Sequence, residues 1–137
     1  MVSLSEAPRS VPRWPEREDL PKGQVRFVYD RQSDTLFVHF YGEARPASSE
    51  PLDNLGDRDY AFLRVDPITD EVVGIQIETF LSYAILQHPD FVEALTIAEL
   101  HGYNDIEATG LRRWAGERRH GEADAYAFIS LVERLGA

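Results

Sequence analysis

Residues 25–41, VRFVYDRQSDTLFVHFY, and residues 60–78, YAFLRVDPITDEVVGIQIE, carry the strand pattern that decides the fold. In both stretches apolar, β-branched or aromatic side chains recur at every second position, which is typical of β-strands. A short segment rich in Asp and other turn-forming residues interrupts each stretch, at 30–34 and at 66–71. Because such segments reverse the chain tightly, each stretch predicts an antiparallel hairpin.

The two hairpins and the sequence that follows them predict an α+β domain. The strands are predicted at 25–29, 35–41, 60–65 and 72–78, and together they form a four-stranded antiparallel meander. After Glu78 the apolar spacing becomes helical, which predicts three or four helices packed on the sheet. These helices are predicted at 79–87, 91 to about 101, 106–118 and 122–135. Asp90 and Glu93 have the spacing of a capping box, which predicts that the second helix begins there.

The chain divides into an arm and one domain. Residues 1–24 contain four of the eight prolines and no apolar periodicity, so they predict an extended N-terminal arm. Residues 25–137 form the single domain, with the meander at 25–78 and the helical part at 79–137. The connection at 42–59 is long for a compact domain, and long connections are often functional.

The strand sequence resembles the bacterial domain of unknown function 2283 family over about residues 25–81. The resemblance lies in three runs: Tyr29-Asp30-x-x-x-Asp34-x-Leu36-Phe37-Val38-x-Phe40, then Phe62-Leu63-x-Val65-Asp66, and finally Val73-Gly74-Ile75-x-Ile77-Glu78. It implies a small β-meander followed by helix, and it implies no reaction.

Three residues of these runs have a structural interpretation of their own. Asp30 and Asp34 bracket the first turn, where their carboxylates are expected to accept backbone amides that the reversal leaves free. Gly74 lies inside a strand, which indicates a bulge or the close approach of another group.

Composition excludes several classes of chemistry. The chain has no Cys, which excludes disulfides, a thiol nucleophile, cysteine-ligated zinc and iron–sulfur clusters. The net charge is −10. Residues 25–80 have 11 acidic and 5 basic side chains, and residues 81–137 have 9 and 5, so neither part offers the basic groove that nucleic acids need. No apolar run is long enough for a membrane span, and the first residues lack the pattern of a secretion signal, so we expect a cytoplasmic protein. The resemblance to the domain of unknown function 2283 family implies a bacterial one.

The histidines, aspartates and arginines form no recognisable cofactor motif. His39, His88, His101 and His120 lack metal-ligand spacing, and Asp53, Asp57 and Asp59 lack the spacing and the distal glutamate of a calcium loop. No metal and no cofactor is therefore predicted. The basic pairs Arg112-Arg113 and Arg118-Arg119 could cap the third helix, pair with the acidic loop, or hold a phosphate or acidic partner.

Alternation along the strands gives the predicted sheet two different faces. One face is aliphatic or small and is expected to receive the helices. Its members are Leu36, Val38, Phe40, Ala61, Leu63, Val65, Val73, Ile75 and Ile77. The other face mixes aromatic rings with polar groups. Its members are Phe37, His39, Tyr41, Tyr60, Phe62, Arg64, Val72, Gly74, Gln76 and Glu78.

The aromatic face has three functional interpretations. Aromatic rings beside Arg and His could stack nucleobases, but the negative charge of both halves of the domain opposes this. His39, Arg64 and Glu78 could instead converge as base, anion holder and acid of a hydrolase-like or small-ligand site. The third interpretation is a protein interface, because interfaces enrich aromatic residues and Arg.

The sequence favours the interface. We expect a small, non-enzymatic interaction module whose partner is a second copy or another protein. The contacting residues are predicted to be Phe37, His39, Tyr41, Tyr60, Phe62 and Arg64. An acidic, antitoxin-like partner of a basic protein is an alternative form of this hypothesis.

Overall fold

A computed structural model describes residues 12–20, 23–52, 58–119 and 124–136. These residues form an α+β fold around one six-stranded mixed sheet, with the strand order β3-β4-β5-β2-β1-β6. All neighbouring strands are antiparallel except β1 and β6, which are parallel. The strands are β1 Arg26–Asp30, β2 Thr35–His39, β3 Ser48–Pro51, β4 Ala61–Val65, β5 Val72–Ile77 and β6 Glu99–His101.

The four predicted strands exist, but they do not form the predicted meander. They correspond to β1, β2, β4 and β5, and β5 rather than β4 pairs with β2. Five of the six β5 residues are buried, so this strand gains most from a central position. The mostly exposed β3, which ends in Pro51, lies at the edge of the sheet, where proline is tolerated. The long connection therefore contains an edge strand, and its residues 53–57 lie outside the described part.

The helical part departs from prediction between β5 and the third predicted helix. A π-helical turn, Phe80–Ala84, continues into α1, Ile85–Gln87, and a 3₁₀-helix follows at Pro89–Thr96. The helix predicted over 91–101 is wrong in its second half, where the chain extends into β6. The predicted capping box at Asp90 is also wrong, because the helix begins after His88 without a side-chain cap.

The last two helices agree more closely with the sequence. They are α2, Asp105–Arg118, and α3, Ala125–Leu135. Helix α2 begins with a capping box in which Asn104 and Glu107 bond reciprocally to each other's backbone amides. Arg112 does not cap its own helix, since its guanidinium donates to the carbonyls of Leu95 (3.4 Å) and Ala98 (2.8 Å) where the 3₁₀-helix ends.

The helices pack on the aliphatic face of the sheet. Eight of the nine residues predicted for that face belong to the hydrophobic core, together with helical side chains such as Phe91 and Phe128. The exception is Val73. A register shift between Arg64 and Val65 places Val72 opposite Val65, so Val72 enters the core and Val73 does not. One irregular residue thus reverses the predicted assignment of this valine pair.

The described part of the N-terminal segment lies along the domain. The backbone N–H of Arg13 donates to the carbonyl of Asp70 (2.8 Å), and the backbone carbonyl of Arg13 accepts a hydrogen bond from the N–H of Val72 (2.9 Å). The Trp14 ring lies 6.4 Å from that of Phe40, at the margin of the core. Residues 1–11 and 21–22 of the predicted arm lie outside the described residues.

Candidate functional site

The face of the sheet opposite the helices is the candidate site, and we call it the open face. Phe37 and Phe62 lie on it, are partly exposed, and do not belong to the hydrophobic core. The two rings lie on either side of Gln76 in the same row, and apolar groups gathered on one surface often mark an interaction site. Alternation from the registered pairs places on this face Arg26, Val28, Asp30, Thr35, Phe37, His39, Phe62, Arg64, Gly74, Gln76, Glu99 and His101.

The side chains of the open face are arranged in three rows that cross the strands. The cationic row contains Arg26, His39, Gly74 and Arg64, in register across β1, β2, β5 and β4. The central row contains Val28, Phe37, Gln76 and Phe62 in the same strands, and β6 adds Glu99 beside Val28. The third row, which we call the acidic row, contains Asp30 and Thr35, which are paired, and β6 adds His101 beside Asp30. Asp30 and the two arginines therefore lie on opposite sides of a centre whose polar members are Gln76 and Glu99.

Gly74 lies in the cationic row at a point where the neighbouring strand comes close. A Cβ atom at residue 74 would lie 2.7 Å from the carbonyl oxygen of Val38 and 3.6 Å from the Cβ of Arg64. The close approach predicted for this glycine is therefore present, and the register shift between Arg64 and Val65 lies beside it. In the row, Gly74 has His39 on one side and Arg64 on the other.

His39 is held toward its neutral form. Burial lowers the pKa of its imidazole, and the positive charges of Arg26 and Arg64 lower it further. The ring is stacked with that of Phe37, at 6.1 Å between centroids and an interplanar angle of 15°. His39 thus contributes a flat ring and ring nitrogens to the cationic row without adding to its positive charge at neutral pH.

The two arginines of the cationic row have different partners. Arg26 forms an ion pair with Glu99 of β6. Arg64 donates a hydrogen bond to the Ser49 hydroxyl, and among the described residues it makes no ion pair. The Arg64 guanidinium therefore forms no ion pair with a carboxylate within the described part of the chain.

The structure brings together two of the three predicted site residues. His39 and Arg64 lie on the two strands that flank Gly74. Glu78 lies four residues beyond Gly74 along the chain, about 13 Å from it at the usual strand rise. The backbone N–H of Glu78 donates to the carbonyl of Tyr60 (2.7 Å). Within one protomer, the carboxylate and the imidazole are thus too far apart for direct proton transfer.

Two of the six residues predicted to contact a partner make their contacts within the chain instead. The Tyr60 ring is only 1% exposed and lies 5.2 Å from that of Tyr83, so the prediction that Tyr60 meets a partner is wrong. Tyr41 follows β2, where its hydroxyl donates to Glu71 and the Arg45 guanidinium lies 4.0 Å from its ring. The other four, Phe37, His39, Phe62 and Arg64, lie on the open face.

Sequence reasoning missed Arg26 and Val28 as members of this face. Both follow from the alternation of β1 once Phe27 is assigned to the core. An open cleft of about 470 Å³ lies nearby, lined by residues that include Gly23, Gln24, Tyr41 and Ile97. His39, Arg64 and Glu78 are not among its lining residues.

A second polar cluster surrounds Asp34, at the first turn. Asp30 accepts bonds from the Gln32 amide and the Ser33 hydroxyl, as predicted for a turn residue. Asp34 instead reaches across the molecule, accepting the amides of Leu81 (2.8 Å) and Ser82 (3.2 Å) at the start of the π-helical turn, 47 and 48 residues away. The Tyr29 and Ser82 hydroxyls also donate to it, at 2.6 and 2.7 Å.

Asp34 should make the stability of the fold depend on pH in the acidic range. Burial alone would raise the pKa of its carboxyl, but the bonds from Tyr29, Leu81 and Ser82 outweigh burial and lower it. A carboxyl with a lower pKa in the folded state adds stability above its unfolded pKa and loses it as the pH falls. We expect the free energy of unfolding to decrease once the pH drops below about 3.8, the ordinary pKa of this carboxyl group.

Denaturant titrations of the natural chain and of Asp34→Asn between pH 7 and pH 2 test this prediction. The variant should be less stable at neutral pH, and the difference should narrow as the pH falls. A constant difference across the range would contradict it.

Comparison with known proteins gives no relative for this chain. No family model, curated protein or solved structure matches it. The similarity to the domain of unknown function 2283 family therefore stays a prediction, and the site must be interpreted from its own geometry.

The described residues contain neither a cluster of metal-ligating side chains nor a membrane-spanning helix. No group of three or more His, Asp or Glu side chains in that part of the chain is placed to hold a metal ion. Among the same residues, no helix has the length and apolar character needed to cross a membrane. Asp53, Asp57 and His120 lie outside the described residues, so the loop and histidine hypotheses that include them stay predictions.

Proposed function

We propose that this protein is a small, non-enzymatic interaction module of the bacterial cytoplasm that forms a homodimer through its open face. The observation that carries the proposal is the position of Phe37 and Phe62, partly exposed on one face of the sheet, with Arg26 and Arg64 on one side and Asp30 on the other. The aromatic pair Phe37 and Phe62 supplies the kind of rigid apolar contact that interfaces enrich.

The charge pattern favours a second copy of this chain over an unrelated partner. Two copies can be stacked with their open faces together and related by a two-fold axis that runs between the sheets, parallel to the central row. This axis places the cationic row of one copy opposite the acidic row of the other. Each cationic row then lies over the acidic row of the other copy, while Phe37 and Phe62 meet the same central row. A surface whose two sides carry opposite charges is therefore complementary to itself in this arrangement.

The other two hypotheses have less support. A net charge of −10 is compatible with an acidic, antitoxin-like protein that binds a basic partner, but Arg26 and Arg64 lie on the face that would bind that partner. The hydrolase-like site lacks its acid, because Glu78 is separated from His39 within the protomer.

Replacing Phe37 or Phe62 with arginine tests the homodimer. The unaltered protein should have twice the mass of one chain by light scattering at micromolar concentration. Each variant would bury a charge against the central row of the other copy. We expect the dissociation constant of the dimer to rise at least about 30-fold, the effect of losing a central contact. The circular dichroism spectrum should remain that of the natural chain.

Ile106→Arg is the matched control for these variants. Ile106 is 85% exposed on α2, and its replacement introduces the same side chain away from the sheet. Its variant should remain dimeric. A monomeric natural chain, or dimers that survive both phenylalanine replacements, would count against the proposal.

A further inference from the structure

We infer that His39 makes the proposed dimer sensitive to pH, because a proton on its imidazole separates the two copies. The inference rests on the proposed homodimer and assigns a regulating group to its open face. It begins from the place of His39 in the cationic row, with Arg26 of β1 on one side and, beyond Gly74, Arg64 of β4 on the other. A protonated ring would be a third positive charge in that row.

The groups around the imidazole do not compensate a positive charge. Burial lowers the pKa of the ring, and Arg26 and Arg64 lower it further. From β5 the facing residue is Gly74, which has no side chain. Glu99, which β6 adds to the face, forms its ion pair with Arg26.

Covering the open face would make that proton still less favourable. The imidazole is stacked with the ring of Phe37, a central residue of the proposed contact, so the second copy removes water from both. Among the described residues the ring nitrogens make no hydrogen bond, and Tyr41, two residues along the chain, donates its hydroxyl to Glu71. A neutral ring needs an acceptor for one N–H, whereas an imidazolium needs two acceptors and takes a charge out of water.

The second copy brings an uncharged residue to His39. Thr35 and His39 lie two residues from Phe37 in opposite directions, so the proposed axis places Thr35 of one copy over His39 of the other. Thr35 carries no charge, and its hydroxyl donates to the carbonyl of Ser33 (3.1 Å).

The carboxylate of the acidic row is directed elsewhere. Arg26 and Asp30 lie two residues from Val28 in opposite directions, so the same axis places Asp30 over Arg26. His101, another group of the open face that can titrate near neutral pH, lies beside Asp30. A proton on His101 is therefore next to a carboxylate and should not oppose association.

The expected pH dependence has the opposite sign to that of the chain as a whole. The net charge of −10 shrinks as the pH falls toward the isoelectric point near 4.8, which weakens repulsion between copies. His39 has a lower pKa in the dimer than in the separated chain, so affinity is complete above the pKa of the separated chain and falls as the pH drops below it. Dissociation in acid thus distinguishes His39 from net charge.

Dissociation measured against pH tests the inference. Sedimentation of the natural chain from pH 8 to pH 5 should give a dissociation constant that rises at least about tenfold by pH 5, since two protons enter each dimer. This range stays above the pH at which Asp34 should weaken the fold. His39→Gln should form a dimer without that rise. His39→Lys keeps a positive charge throughout and should dissociate at pH 8 as readily as the natural chain does at pH 5.

His88→Gln is the matched control, because burial also lowers the pKa of His88, but its ring lies against Tyr60 and Phe91, away from the open face. This variant should keep the rise. If Phe37→Arg separates the copies but the natural dimer holds to pH 5, or if the rise survives His39→Gln, the inference is overturned and the homodimer stands. If the natural chain is monomeric at pH 8, both are overturned. Circular dichroism at each pH separates lost contacts from lost folding.

Discussion

Replacing Asp34 with alanine is expected to lower the free energy of unfolding by about 2–4 kcal/mol, the range for losing several hydrogen bonds to one charged group. Its carboxylate accepts bonds from Tyr29, from the amides of Leu81 and Ser82, and from the Ser82 hydroxyl. Without it, the first amides of the π-helical turn lose their acceptors, and the partly buried Tyr29 hydroxyl loses its partner. Chemical denaturation followed by circular dichroism measures the loss.

Two further variants separate the charge of Asp34 from its backbone conformation. Asp34 has a φ of 50°, a left-handed conformation that Asn and Gly tolerate better than Ala. Asp34→Asn keeps a side-chain oxygen but removes the charge, and Asp34→Gly removes the side chain without backbone strain. We expect the order of stability to be natural chain, then Asn, then Gly and Ala. Stabilities within about 0.5 kcal/mol of one another would show that this network does not hold the turn to the sheet.

The sequence predicted the hairpins because their determinants are local. Alternation and turn residues act over a few positions, and they placed β1, β2, β4 and β5 to within one or two residues at each end. The same alternation placed Phe37, His39, Phe62 and Arg64 on one face. Four members of the candidate site therefore follow from alternation alone.

The order of the strands depends on contacts that no local pattern contains. β5 is central because its burial is greatest when β2 and β4 lie on either side, which is a property of the whole sheet. The three-residue β6 is too short to show a period, and a single register shift exchanged Val72 and Val73. The meander and the valine assignment were wrong for these reasons.

Two capping signals illustrate the same limit. Asp90 and Glu93 have the correct spacing for a capping box, yet the one that forms uses Asn104 and Glu107. Asp34, expected to serve its own turn, instead caps a helical turn 47 residues away. A capping residue can be recognised from sequence, but the helix it caps is chosen by tertiary packing.

Replacing Gly74 with alanine should lower the free energy of unfolding by about 1–3 kcal/mol, the usual cost of adding a methyl group where there is no room. The new Cβ would lie 2.7 Å from the carbonyl oxygen of Val38, closer than van der Waals contact allows. Because that oxygen belongs to the backbone of a central strand, β2 and β5 must move apart to relieve the contact. Gly74→Val should cost more, since its extra methyl groups also meet the Arg64 side chain, 3.6 Å from the added Cβ.

Gly110→Ala is the matched control for this prediction. Gly110 lies within α2, and no atom would lie within 4 Å of an added Cβ there. The same methyl group should raise stability at this position by about 0.5–1 kcal/mol, because alanine favours helix more than glycine does. Thermal and denaturant unfolding of both variants should therefore shift in opposite directions. Equal stability of Gly74→Ala and the natural chain would contradict the prediction, because it would mean that β2 and β5 accommodate a side chain at this position.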